Sequence, residues 1–121
     1  LKFVLVESQR KRASFLRNCV RKMSLDNVEV LNQRAEDLSA DYLDRFDLVV
    51  FRGVGDILYC SKLAGPCLKM GGRVVIKKEP DARPPEFTEQ SGYKFQLQDE
   101  IPFEGGTGVL SKLMLFAKCS T

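Results

Sequence analysis

The chain has 121 residues, of which 44% are hydrophobic and 29% charged, so it is long enough for one domain with its own core. No apolar run approaches the roughly 20 residues of a membrane span, and we expect a soluble protein. The net charge of +3 permits a polyanionic partner without requiring one. The chain starts with Leu inside its first predicted strand, which indicates that an N-terminal portion precedes it.

The cysteine and histidine content narrows the chemistry. The four cysteines form no CxxC pair and there is no His, so no metal site is expected. Reduced, packed thiols are typical of a cytoplasmic protein. Without His, nothing titrates near neutrality to serve as the base of a Ser-His-Asp or Cys-His system. Chemistry that needs no protein base fits better.

The opening stretch LKFVLVES predicts a strand that ends at Glu7, ahead of an amphipathic helix over residues 9–25. A carboxylate at the end of such a strand can accept hydrogen bonds from both hydroxyls of a ribose, or it can be an ordinary surface acid. The basic face of the helix could contact RNA phosphates or be solvated. The predicted apolar stripe of the helix comprises Ala13, Phe15, Leu16, Cys19, Val20 and Met23.

Two further strands end at polar residues. Val28–Leu31 is followed by the pair Ala35-Glu36, and a short turn of helix is expected over 39–45. The continuous apolar run Phe46–Phe51 predicts a strand buried on both faces, and Arg52 follows it. Because the carboxyl ends of parallel strands meet at one edge of a sheet, these residues and the acid after the first strand predict one ligand-binding rim.

The second half alternates helix and strand before ending in an antiparallel pair. The glycine-containing loop EGGTG leads from strand to strand, so it is interpreted as a hairpin loop and not as a phosphate cradle, which would open a helix. We predict a helix over 57–70, which is interrupted at Gly65-Pro66 and ended by Gly71-Gly72. A strand over 73–76 and a proline-rich loop follow. The remaining predicted elements are a turn of helix over 86–92 and strands over 93–101 and 111–118.

Four segments together resemble the bacterial 16S ribosomal RNA guanine-N7 methyltransferases, the glucose-inhibited division protein B family. The matching segments are ESQRKRASFL, NVEVLNQRAEDL, FDLVVFRGVGDIL and LKMGGRVVIKK, in that order and with compatible spacing. The segment NVEVLNQRAEDL is the most specific for this family. The resemblance covers at least the first two thirds of the chain.

The resemblance implies an α/β fold, the Rossmann-like sheet of class I methyltransferases with strand order 3-2-1-4-5-7-6. The sheet would be mostly parallel, with a C-terminal antiparallel pair. Residues 1–121 would be the C-terminal part of a single domain whose cofactor is S-adenosylmethionine. Glu7 resembles the acid that holds the cofactor ribose, Ala35 and Glu36 the pair along the adenine, and Arg52 an arginine at the cofactor and substrate pocket. Lys77 resembles a substrate-binding lysine, although Lys78 stands where the family often has Gly.

The implied reaction is methyl transfer to guanine N7 in 16S rRNA. That nitrogen has a lone pair and no proton, so alignment and electrostatics suffice and no catalytic residue is predicted. The expected partner is 16S rRNA or the small ribosomal subunit. Two alternatives remain: a nicotinamide-dinucleotide domain, which also places an acid after its second strand, and a non-catalytic RNA- or protein-binding domain.

The first strand of the family fold and its glycine-rich loop have no counterpart in this sequence. We therefore expect the 121 residues by themselves to be inactive and to bind S-adenosylmethionine weakly or not at all. The loss of a central strand would leave two sheet edges exposed, so a strand-paired homodimer of this fragment is also predicted.

Overall fold

The computed structural model forms two compact units, residues 1–41 and 42–121, and describes residues 1–38, 40–52, 56–90 and 92–120. No helix in these described ranges is long and apolar enough to cross a membrane. The elements are β1 (Phe3–Val6), α1 (Arg10–Lys22), β2 (Val28–Leu31), 3-10 turns at Ala35–Asp37 and Ala40–Tyr42, β3 (Phe46–Phe51), α2 (Ile57–Ala64), β4 (Leu68–Lys78), β5 (Phe87–Gln90), β6 (Tyr93–Glu104) and β7 (Leu110–Ser120).

In the first unit, β1 and β2 form a parallel pair whose register runs from Phe3 opposite Val28 to Val6 opposite Leu31. This confirms the two predicted strands. Helix α1 connects them, as the crossover of a parallel pair requires. Its fully buried residue is Ala13, and Leu16 and Val20 are half-buried.

The predicted apolar stripe of α1 is wrong at two positions. Phe15 and Met23 are each 66% exposed. At about 100° per residue, Phe15 leaves the helix roughly opposite to Ala13, which takes the buried position. Met23 lies beyond the last helical residue, where the chain turns through Ser24 at a φ of 53°. The stripe is therefore narrower than the sequence predicts.

The second unit is a five-stranded sheet in the order β3-β4-β7-β6-β5. β3 and β4 are parallel, whereas the other three neighbouring pairs are antiparallel. Helix α2 packs on one face of this sheet. The core between them comprises Phe51, Cys60, Ala64, Leu68, Val74, Ile76, Phe95, Met114 and Phe116.

Strand β3 is not buried on both faces, contrary to the prediction from its apolar run. Phe51 is buried, but Leu48 and Val50 are 51% and 63% exposed. Alternate residues of a strand point to opposite faces, and α2, the helix described in this unit, covers only the face of Phe51. A continuous apolar run therefore does not show that both faces of a strand are covered by other elements.

The predicted helix over 57–70 is too long. Helix α2 ends at Ala64, and the chain enters β4 at Leu68, which is buried and pairs with Phe46. The pair Gly71-Gly72 lies inside β4, where the register shifts and Gly71 adopts a φ of 80°. These glycines allow a bulge in a strand and do not end a helix.

The segment predicted as a turn of helix over 86–92 instead contains β5, which pairs with β6. A short run can form either element, and pairing with a neighbouring strand decides between them. The last two strands are confirmed and are longer than predicted. Their connection is the expected hairpin loop, with Gly105 N donating to Val109 O at 2.9 Å.

The sheet order agrees with the family fold. Taking β1 and β2 as strands 2 and 3, the first unit has the order 3-2; taking β3, β4, β6 and β7 as strands 4 to 7, the second has 4-5-7-6. Strand β5 is an additional edge strand. Within the described residues, β1 and β3 each have one strand neighbour.

Candidate functional site

The first unit ties together the loops that follow its two parallel strands. Glu7 N donates to Leu31 O at 3.0 Å, so Glu7 lies beside the end of β2. Asn32 Nδ2 donates to the carbonyl oxygens of Glu7 and Ser8, both at 3.1 Å. These bonds hold the two strand ends in register at one edge of the pair. Asn32 was not singled out from the sequence, although an Asn directly after a strand is a common turn residue.

The carboxylate of Glu7 makes two long polar contacts. Its Oε2 accepts a hydrogen bond from Gln9 N at 3.3 Å, and its Oε1 lies 3.7 Å from Nη1 of Arg12. The Glu7 side chain is only 21% exposed. A carboxylate has about four acceptor positions, so capacity remains for two further donors. The geometry fits the recognition of a diol.

The other predicted positions of this unit follow β2. Ala35 and Glu36 form, with Asp37, a single 3-10 turn after Arg34. Ala35 is half-buried and Glu36 is exposed. Since Asn32 anchors the start of this loop to Glu7, the predicted ribose and adenine positions belong to adjoining loops of one unit.

In the second unit, Arg52 and Lys77 are brought together by strand register. Phe51, the last residue of β3, pairs with Ile76 of the parallel strand β4, and Arg52 and Lys77 each come one residue later in the chain. Because Ile76 points into the core and Lys77 is the next residue of β4, Lys77 points to the opposite face. Lys77 Nζ lies 5.9 Å from the centroid of the Phe103 ring. Among the described residues, no carboxylate pairs with either cation within 4.0 Å.

A cleft of about 520 Å³ lies between the start of α2 and the loop after β4. Asp56 caps the helix, its Oδ1 accepting from Tyr59 N at 2.8 Å. Thr88, which is buried, shares a hydrogen bond of 3.2 Å with the hydroxyl of Ser61. Both charged and apolar residues line the cleft, and the sequence analysis did not predict it. Its lining residues are Asp56, Ile57, Leu58, Lys78, Glu79, Ala82, Pro85, Thr88 and Glu89.

The thiols are free and do not form a metal site. In the described part of the chain, no group of three or more His, Cys, Asp or Glu could hold a metal ion. Burial raises the pKa of the Cys60 thiol to about 11, with nearby Lys78 opposing the shift and Asp56 adding to it. Burial also raises the pKa of Cys67. Neither thiol is an activated nucleophile, because activation requires a lowered pKa.

Several solved structures that the chain resembles are methyltransferases. The chain superposes on P. horikoshii TYW2 in complex with MeSAdo with a TM-score of 0.74 at 14% identity, covering 99% of this chain and 49% of that one. It superposes on an rRNA methylase from Streptococcus thermophilus with a TM-score of 0.64 at 13% identity, covering 98% and 74%. These likenesses confirm the predicted fold class, that of the class I methyltransferases.

The family follows from sequence. The model of rRNA small subunit methyltransferase G, GidB, matches residues 1–98, and the chain belongs to this family. It is 38% identical over 80 residues to the enzyme of that name from Thermotoga petrophila, covering 66% of this chain and 35% of that protein. It is 31% identical over 104 residues to the Thermotoga neapolitana protein of the same name, and this match covers 86% of this chain and 43% of that protein. The chain thus spans about a third of the length of the first relatives it matches.

Proposed function

We propose that the protein transfers a methyl group from S-adenosylmethionine to guanine N7 in 16S rRNA. The observation that carries this proposal is the family match over residues 1–98, which contains every predicted site residue. A nicotinamide-dinucleotide domain, the first alternative, loses its support because the matched family is one of methyltransferases.

The residues of the first unit fit the cofactor. Bound there, S-adenosylmethionine supplies a methyl group on a positively charged sulfur. Glu7 accepts hydrogen bonds from the ribose hydroxyls with the acceptor positions that Gln9 and Arg12 leave open. Ala35 and Glu36 contact the adenine through the 3-10 turn. The family resemblance assigns Arg52 to the cofactor and substrate pocket.

The chain has no need of a catalytic base. Guanine N7 already carries the attacking lone pair, so the protein's contribution is to align the base and to stabilise charge. Arg52 and Lys77 contact the RNA, through a phosphate or the base edge. Arg52 follows the end of β3 and Lys77 lies on the neighbouring β4, so two positive charges lie near the same end of this strand pair, which favours an anionic ligand.

The partner is 16S rRNA or the small ribosomal subunit, and the location is the cytoplasm. Strand pairing between two copies of the 121 residues is also proposed, because β1 and β3 each have a single strand neighbour in the described residues. Light scattering on these residues by themselves would test it: a monomer across the micromolar range would contradict the pairing.

Calorimetric titration with S-adenosylmethionine tests the cofactor site, using the protein as its gene encodes it. Glu7→Gln removes the charge that strengthens the hydrogen bonds to the ribose, and we expect at least about a tenfold loss of affinity. Glu104→Gln, an exposed carboxylate on β6 beside the hairpin, is the matched control and should bind normally. Equal affinities for the two variants would contradict the role of Glu7.

Activity is tested by transfer of a radioactive methyl group to 16S rRNA that lacks the modification, followed by chemical cleavage at N7-methylguanine. Label released at a guanine supports the proposal. Binding of the cofactor without transfer to naked rRNA or to small subunits would favour the non-catalytic alternative. The expected inactivity of the 121 residues by themselves stays a prediction, and micromolar cofactor binding by them would contradict it.

A further inference from the structure

Helix α1 concentrates the positive charge of the chain. Its 13 residues include six of the 19 cationic side chains and none of the 16 carboxylates. The remaining residues carry 13 cations against those 16 carboxylates, so the chain outside α1 is net negative. The net charge of +3 therefore arises from one helix and is not spread over the surface.

An exposed aromatic ring lies among these cations. The buried side of α1 presents Ala13, Leu16 and Val20. The ring of Phe15 lies on the other side of the helix and is 66% exposed. A shallow cleft of about 600 Å³ surrounds it. The residues that line this cleft, which we call the α1 face, are Lys11, Ser14, Phe15, Arg17, Asn18 and Arg21.

Two of the three cations of the α1 face donate to neutral oxygens and not to carboxylates. Arg21 Nη2 donates to Asn18 Oδ1 at 2.6 Å, and Arg17 Nη2 donates to Val30 O at 3.4 Å. The one ion pair described on this helix joins Arg12 to Glu7. The charges of Lys11, Arg17 and Arg21 are therefore not neutralised by any carboxylate of the described residues.

The chemistry of this surface specifies its occupant. Uncompensated cations attract a polyanion, and a half-exposed ring offers a surface on which a planar base can stack. Bases can stack on a side chain only where they are unpaired, as in RNA loops and single strands. We propose that the α1 face binds an unpaired RNA segment, with one base stacked on Phe15 and flanking phosphates contacted by Lys11, Arg17 and Arg21. That this RNA belongs to the methylated substrate rests on the proposed function.

Stacking can be observed directly as the fluorescence that a Trp in the α1 face adds to that of the unsubstituted protein, since the 121 residues themselves contain no Trp. Phe15→Trp places an indole in the α1 face, and its fluorescence should be quenched when a 12-nucleotide single-stranded RNA is added in the absence of S-adenosylmethionine. An RNA of the same length without bases should bind with little quenching. Emission typical of a buried indole before RNA is added would mean that another part of the protein covers this face, and would overturn the proposal.

Affinity distinguishes stacking from general hydrophobicity. We expect Phe15→Ala to weaken binding of the 12-nucleotide RNA by about tenfold, the usual effect of losing one aromatic stacking partner. Met23→Ala is the matched control, since Met23 is apolar, equally exposed and adjacent to the same helix, and it should change affinity less than twofold. Equal effects of the two substitutions, or none from Phe15→Ala, would overturn the role of the ring.

The salt dependence of binding tests the charges. Removing one phosphate contact by Lys11→Gln should lower the slope of log affinity against log salt by about 0.7. Lys62→Gln, on the exposed side of α2, removes the same charge and should leave the slope unchanged. Identical slopes for both variants would refute the α1 face as the RNA site. These measurements do not depend on methyl transfer. They can therefore contradict RNA binding at the α1 face while the proposed activity is confirmed, and they can support RNA binding there while the proposed activity is contradicted.

Discussion

The ammonium group of Lys118 on the last strand donates a hydrogen bond of 2.8 Å to the carbonyl oxygen of Gly65, the C-cap of helix α2. It donates a second, also 2.8 Å, to the carbonyl oxygen of Leu68, where β4 begins. The side chain is only 1% exposed, and its Nζ lies 5.0 Å from the centroid of the Tyr93 ring. One cation thus satisfies the carbonyl groups of the tight connection between a helix and a strand.

Replacing this lysine should destabilise the second unit. Lys118→Met keeps the length of the side chain and removes the donors, leaving two buried carbonyl groups unpaired. We expect the free energy of unfolding in urea to fall by about 3 kcal/mol. Lys69→Met breaks an exposed contact of 3.6 Å with Asp47 and should change stability by less than about 1 kcal/mol. Similar losses in the two variants would show that burial does not matter here.

Gly65 also tests the packing at this connection. Its backbone is helical, with a φ of −50°, so the conformation itself does not demand glycine. A Cβ added there would lie 2.5 Å from Cγ of Tyr93, which is closer than side-chain atoms approach. Gly65→Ala should therefore lower thermal stability by about 2 kcal/mol, as overpacking does. At Gly106 no atom lies within 4 Å of an added Cβ, and Gly106→Ala should leave the melting temperature nearly unchanged.

The start of α2 depends on Asp56, whose carboxylate accepts the Tyr59 amide at 2.8 Å. Asp56→Ala should reduce the free energy of unfolding by about 1 kcal/mol, while Asp56→Asn, which keeps an acceptor oxygen, should retain most of it. The exposed Asp81 lies in a turn outside any helix, so Asp81→Ala is a suitable control for loss of charge. Equal effects of the Ala and Asn variants at position 56 would show that capping is not the cause.

Stability at alkaline pH should depend on Cys60. Its pKa is about 11 in the folded chain, against an ordinary value of 9.0. The unfolded chain therefore releases this proton before the folded chain does, and the free energy of unfolding falls as pH rises from 9 to 11. Cys60→Ala should flatten this decline relative to the unsubstituted protein. Cys119→Ala, at an exposed thiol, should leave the decline as it is, and parallel curves for all three proteins would contradict the assignment.

Several elements follow from local sequence alone. The strands over 28–31 and 46–51 have the bounds predicted, because short apolar runs rich in β-branched and aromatic residues lie between polar turn residues. The hairpin at 105–109 was also predicted, since glycines between two apolar runs favour a turn. The boundary between α2 and β4 was not, because Leu68 suits either element and only its pairing with Phe46 selects the strand.

The candidate site divides in the same way. The sequence alone predicts an acid after the first strand and a cation after the third. It also predicts the family that this pattern resembles. The anchoring of Glu7 by Asn32, and the placing of Arg52 next to Lys77, come from strand register. Register depends on contacts between distant segments, which local propensity does not encode.

By itself, the sequence determined the fold class and the family, and it predicted that Glu7 and Arg52 directly follow strands, because these depend on local pattern and motif order. Tertiary structure alone decided which side chains are covered. It exposed Phe15, although its apolar character predicted burial, and it buried Lys118, although lysine is almost never fully buried unless it is paired. Burial is set by what other segments bring to a position, and the partners of Lys118 lie 50 and 53 residues earlier in the chain.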